Sequence, residues 1–269
     1  MVAQLGTGES PKDNSQQVKQ LLETRQCIKC DLRGANLEKA KLEGANLEGA
    51  NLAGANLEGA NLKNAYLVGA NFSTANLTKA QLASAKLMVA DLSEANLQNA
   101  DLQGVNFQGA NLQTANLSNT RLIAPTMMQD ANLQNANLSR ARLDGANVER
   151  ANLQNANLEK ASLRRITELI DRDSNRSERS RGVLAGSIFD SVDRSSFRTG
   201  AFEFQTNLSK ANLQGANLSG ANLSRVILNE TNLREANLTG TKLKERDLAN
   251  ANICGATMSN GSRFDRTCQ

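Results

Sequence analysis

There is no histidine and no tryptophan in these 269 residues, and the aromatic set is one Tyr and seven Phe. Lacking histidine, the chain is without the commonest general base and the commonest metal ligand. So few aromatics exclude a large aromatic core and the stacking platforms that nucleic-acid binders use. No apolar run is long enough to insert in a membrane. The opening Met1-Val2-Ala3-Gln4-Leu5-Gly6-Thr7 has neither the basic nor the apolar region of a secretory signal. That leaves a cytoplasmic protein or the mature chain of an exported precursor. Charge adds little. Residues 1–159 hold 14 Lys+Arg against 15 Asp+Glu, and residues 160–269 hold 17 against 12. The resulting excess is too mild for a dedicated nucleic-acid surface.

What is present is a five-residue period. From Leu32 to Leu122 an apolar residue recurs at every fifth position, with only Phe72 and Phe107 replacing Leu, and Ala usually precedes it by two. Helices repeat near 3.6 and strands at 2, so a period of five is itself the fold. Met127 extends the first register, which then slips by one residue near Met128–Asp130. A second run covers Leu133 to Leu163. Val192, Phe197 and Phe202 keep the step, a second slip precedes Leu208, and the last run reaches Ile253 and Met258. Leu fills the centre of a closed coil, and Ala lets the chain turn beside it. The intervening Asn faces out and bonds nearby backbone. A lone coil cannot bury its face, so stability comes from stacking.

The unit Ala55-Asn56-Leu57-Glu58-Gly59 is small–Asn–Leu–x–x, and over residues 30–163 and 187–258 the chain resembles the pentapeptide-repeat proteins. The resemblance implies an all-β solenoid: a right-handed quadrilateral β-helix with four units per coil. About ten coils at ~4.8 Å each make a rod roughly 50 Å long. Residues 30–258 form the rod, interrupted by a loop at about 164–186. Residues 259–269 form a C-terminal cap, and residues 1–29 hold a leading segment and a short capping helix. Ser10 is the expected N-cap of that helix, with Pro11 in its first turn and Val18, Leu21 and Leu22 on its apolar face.

Cys27 and Cys30 precede the first unit, and Cys254 and Cys268 stand at the far end. On the rod the pairs are too distant for a shared zinc site, so local disulfides stapling the caps are the simplest reading, with free buried thiols as the alternative. Disulfides imply an oxidising compartment. The segment Leu21 to Cys27 is similar to that of cyanobacterial and plastid members exported to the periplasm or thylakoid lumen.

The period breaks in several places. Pro125 takes a small-residue position. Arg246 takes another, escaping to solvent or pairing with Glu245 or Asp247. The loop at 164–186 carries Arg172, Arg176, Arg179 and Arg181, and reads as an inert excursion or a partner-binding arm. Outward positions are otherwise mostly polar or Gly, yet Val68, Met88 and Met128 fall in one row at the coil period, with Tyr66 and Val89 alongside. That strip reads as scattered surface or as a docking site.

These features favour a non-enzymatic scaffold, monomeric or homodimeric, that binds a protein partner and needs neither cofactor nor metal. The resemblance also offers a rival, since some members mimic DNA and bind type II topoisomerases. Mimicry needs an extended negative field. Gln98, Gln103, Gln108 and Gln113 are neutral, and Glu38, Glu43, Glu48 and Glu58 are interspersed with Arg33, Lys39, Lys41 and Lys63.

Overall fold

Every backbone N–H of a regular unit finds an acceptor, and the pattern dictates the coil. In Ala75-Asn76-Leu77-Thr78-Lys79, Ala75 N donates to Phe72 O at 3.0 Å and closes the corner. Asn76 N donates to Ala55 O (2.9 Å) in the coil below, and Leu77 N and Lys79 N donate to Asn96 O (2.7 Å) and Gln98 O (2.9 Å) in the coil above. The remaining donor, Thr78 N, is met by the Asn76 side-chain oxygen at 3.1 Å. Asn recurs because a buried backbone donor without a partner is costly. The fifth position turns left-handed, as at Lys79 with φ 58°.

The computed structural model describes residues 14–169, 201–243 and 245–264. Parallel bridges join Asn positions of successive coils, as in Asn36–Asn56–Asn76–Asn96. Four such rows make a four-sided β-helix. The first face carries Asn46, Tyr66, Lys86 and Asn106; the second Asn51, Asn71, Asp91 and Asn111; the third Asn56, Asn76, Asn96 and Asn116; the fourth Lys41, Asn61, Gln81 and Asp101. The Leu and Ala columns of all four faces point inward and are buried almost without exception. Each buried Leu contributes about 1.5–3 kcal/mol relative to exposure.

Helix α1, Ser15–Thr24, lies across the first coil. Leu21 is fully buried, and Val18 packs against the core. The Gln17 side chain accepts Asp31 N at 2.6 Å. The N-cap is Asn14 rather than Ser10, and Ser10 and Pro11 lie outside the described residues. Asn14 makes no capping bond; its amide donates instead to Arg33 O at 2.9 Å, tying the helix to the coil. At the other end the chain turns back after Met258. Phe264 N donates to Ala256 O (2.8 Å), and Arg263 pairs antiparallel with Thr257.

The irregularities differ from those read in the sequence. The first slip precedes Met128 rather than following it. Met127 holds an Asn position, bridged to Asn106, and Met128 is the buried centre. Pro125 is half-exposed, and the small position belongs to buried Thr126. The hydroxyl makes the difference: Thr126 Oγ1 donates to Ile123 O at 2.8 Å and accepts Gly104 N at 3.1 Å.

The excursion is also longer than 164–186. The chain leaves the stack after Arg165 and rejoins at Thr206, since Asn147 bridges Asn207 and Ser162 bridges Asn222. Strands β1 (Ile166–Leu169) and β2 (Ala201–Phe204) pair antiparallel at its base. Phe202 therefore pairs with Glu168 and does not hold a coil position; Val192 and Phe197 lie outside the described residues. Antiparallel pairing satisfies the backbone of a segment that no coil neighbour covers. Arg246 is exposed in a 3-10 turn, Glu245–Leu248, with its Nε 3.8 Å from Asp247.

Candidate functional site

On the first face two successive coils abandon the Asn row. Tyr66 and Lys86 replace Asn, and the Lys86 ammonium sits 4.4 Å from the centroid of the Tyr66 ring. Tyr66 is 47% exposed and Val89 64%, while Val68 and Met88 are half-buried beside them. Val89 adopts φ 51°. Among the described residues it is the one apolar residue at a non-Gly left-handed position, a conformation that a β-branched side chain resists. Losing Asn has a second consequence. With no amide oxygen beside them, the N–H groups of Val68 and Met88 have no acceptor among the described residues.

Met128 is not part of this strip. It is fully buried, because the extra residue before it moves it from an outward position to the coil centre. Gln129 takes the outward position, next to half-buried Met127. Arg172, Arg176, Arg179 and Arg181 lie outside the described residues.

A second cluster occupies the corner between the fourth and first faces. The Asp144 side chain is 0% exposed. Its carboxylate accepts the Ser162 hydroxyl at 2.5 Å, Arg164 N at 3.0 Å and the Arg142 guanidinium at 3.3 Å. Burial pushes the carboxyl up, but the hydrogen bonds from Ser162 and from the Arg164 backbone and side chain outweigh it and hold it below the usual range. Next to it, Gly145 has φ 73°, and a Cβ there would lie 2.7 Å from Phe204 Cβ and 2.9 Å from Ala124 Cβ. Thr206 locks the return of the chain: its Oγ1 accepts Gly145 N at 2.9 Å and donates to Leu143 O at 2.9 Å. Phe204, Gln205, Asn207 and Ile227 line a shallow open cleft of ≈ 460 Å³ with Gly145 and Asn147. Sequence reasoning missed Asp144, Gly145, Thr126 and Thr206. The available signal was Thr in a small position immediately after the bulge before Met128 and after the excursion, where a hydroxyl serves backbone that the regular stack leaves strained.

Cys27 and Cys30 are joined by a disulfide, with Cα atoms 5.3 Å apart. Cys27 fills the Leu position of the first coil and Cys30 the next small position, so the bond lies beneath α1. Cys254 is also disulfide-bonded; Cys268 lies outside the described residues. On the third face acids and bases alternate: Glu38 with Lys39 at 2.6 Å, Glu58 with Lys79 at 3.5 Å, and Glu159 with Lys160 at 2.7 Å. The hydrogen-bonded Lys39 and Lys160 ammoniums hold the Glu38 and Glu159 carboxyls below the usual range. Among the described residues no cluster of His, Cys, Asp and Glu could hold a metal, and no helix is long and apolar enough to cross a membrane.

The family model for pentapeptide repeats matches in eight copies, over residues 30–66, 55–88, 90–123, 128–167 and 206–244. The chain belongs to the pentapeptide-repeat family. Among solved pentapeptide-repeat structures it is similar to HetL, involved in heterocyst differentiation regulation in the cyanobacterium Nostoc sp. strain PCC 7120. Identity is 30%, 89% of each chain is covered, and the TM-score is 0.40. It is also similar to QnrB1, a plasmid-mediated fluoroquinolone resistance protein, at 17% identity over 87% of this chain and 91% of that one, TM-score 0.46. A pentapeptide-repeat protein of the Arabidopsis thaliana thylakoid lumen matches at 23% identity over 43% of this chain and 70% of its own, TM-score 0.22. No protein with a curated description matches.

Proposed function

We propose that this pentapeptide-repeat protein is a non-catalytic scaffold that captures another protein on the first face of its β-helix. In this reading residues 30–258 act as one rod of about ten coils, closed by residues 1–29 and 259–269. The observation that carries the proposal is the contrast between a filled interior and the Tyr66–Val68–Met88–Val89 strip. Among the described residues the inward Leu and Ala columns fill the interior, so recognition falls to the outside. On that outside the strip combines exposed apolar groups with unpaired backbone donors. The disulfide under α1 supports an oxidising, exported compartment, the periplasm or thylakoid lumen.

The rival reading as a DNA mimic needs a continuous acidic face. It draws no support from the third face, where Glu38, Glu58 and Glu159 each face a lysine.

Capture from native extract tests the proposal. The partner set retained by the full chain should be lost on the double substitution Val68→Lys, Met88→Lys. The lysine stems can follow the half-buried sites while their ammoniums reach water, so the coil persists. An unchanged partner set, with far-ultraviolet dichroism also unchanged, would remove the first face as the docking surface.

A further inference from the structure

The same strip specifies what kind of partner segment it takes. We infer that the first face binds a short extended peptide segment in which an Asp or Glu side chain is flanked on both sides by apolar residues. This rests on the scaffold reading above.

Three features carry the inference. The first is the pair of free donors. Val68 N and Met88 N stand one coil apart, roughly 4.8 Å, and neither has an acceptor among the described residues. Lys86 lies in the Asn position of the upper coil, with its ammonium held over Tyr66. Two N–H groups and an ammonium within one patch form a carboxylate site bounded by apolar groups. Tyr66 and Val68 lie in the coil below Lys86, and Met88 and Val89 follow it in its own coil. The acid must therefore sit inside a segment rather than at its end.

The second feature is Val89. A β-branched apolar residue at φ 51° holds a strained backbone, and although its Cγ1 lies over Gly109 of the next coil, it is 64% exposed. Most of its apolar surface is therefore open to a group arriving from outside.

The third is size. The strip spans two coils, about 10 Å along the rod. A stable dimer buries about 800 Å² on each partner, which four side chains on two coils do not provide. A short segment running along the rod fits that length, and a second copy does not.

The test uses the full, oxidised chain and an array of ten-residue peptides. Each peptide carries one central Asp or Glu between apolar pairs, with matched members bearing Gln or Lys at the centre. Acid-centred members should bind at least tenfold more tightly than the Gln and Lys members. Lys86→Glu should reverse that preference. Val89→Gly should raise the melting temperature yet weaken acid-peptide binding at least fivefold, a split that a purely structural role for Val89 cannot produce.

The inference falls if no acid-centred member binds, if Lys86→Glu leaves the preference intact, or if Val89→Gly binds like the parent. It falls equally if the chain is a concentration-dependent dimer that Val89→Gly dissociates, because a second copy then occupies the strip. Failure on the array while partner capture still depends on Val68 and Met88 would overturn the peptide inference and leave the scaffold reading standing.

Discussion

The second and third faces and the corner joining the fourth face to the first obey different rules. On the second and third faces the Asn amides form ladders from coil to coil, as from Asn76 to Asn56 at 3.1 Å and from Asn152 to Asn132 at 3.2 Å. Each side-chain oxygen also receives the backbone N–H two residues on, as Gln154 N does to Asn152 at 3.2 Å. On these faces the amide oxygens are taken up by the coil itself. At the corner, by contrast, three departures stack. The extra residue before Met128, the excursion between Arg165 and Thr206, and the 3-10 turn Glu245–Leu248 each follow a fourth-face centre and precede a first-face centre.

Sterics explain why the departures share a column. The bulge at Ala124-Pro125 presses down on Gly104, where a Cβ would lie 3.3 Å from Pro125 Cδ, and up on Gly145, 2.9 Å from Ala124. Tight coil-on-coil contact passes a local widening to the next coil. That coil meets it with Gly145 and the buried Asp144, and the coil above opens into β1 and β2. A regular face is self-propagating, and so is a broken corner.

The sharpest way to break this contrast is Gly145→Val. The side chain would collide with Phe204 and Ala124 on a backbone that β-branched residues resist, and we expect a loss of about 3 kcal/mol or more. The same change at Gly44, whose Cβ position is open, should cost only the backbone strain, about 1–2 kcal/mol. Urea midpoints of the two variants measure the difference, and equal losses would mean that the corner is no tighter than any other.

Asp144 gives the next largest effect, and it depends on pH. Its folded-state carboxyl titrates below the ordinary value of about 3.9, so its stabilisation is complete above pH ~4 and is lost as pH falls through the lower, folded value. Asp144→Asn should cost about 1–3 kcal/mol at neutral pH, and that difference should shrink as pH falls through the lowered folded value. A constant difference across that range would show that the pairing with Ser162 and Arg164 is not what holds the corner.

Replacing Asn on a regular face should be comparable or slightly milder. Asn152→Ala removes the acceptor of Gln154 N and one rung on each side, about 1–2 kcal/mol. Hydrogen exchange should show the Gln154 amide opening. The converse holds on the first face. Tyr66→Asn and Lys86→Asn restore acceptors for Val68 N and Met88 N, and each should raise stability by about 0.5–1.5 kcal/mol while slowing exchange at those amides. Protected Val68 and Met88 amides in the parent chain would remove the distinction between the faces.

The smallest effect is Val89→Gly, a gain of up to about 1 kcal/mol from relieved backbone strain. Gly gives back part of that through its looser unfolded state.

Much of this protein was legible in its residues. Period five, Leu in the centre and Ala beside it pointed to a stacked coil, because each regular unit makes the same bonds with its neighbours in the coils on either side. Tyr66, Val68, Met88 and Val89 stood out for the same reason: in a repeat, phase along the chain is position in space. Phase is also where the sequence misled. One extra residue, expected after Met127 but present before it, put Met128 outside when it lies inside. Phe202 kept the step by coincidence, since it belongs to a strand that pairs with β1. Periodicity assigns a residue only while the count is unbroken; across a break, packing restores it. That is why the roles of Asp144, Gly145, Thr126 and Thr206 came only from the tertiary structure. Each answers a neighbour 20 or more residues away whose position is set by where the coil chose to widen.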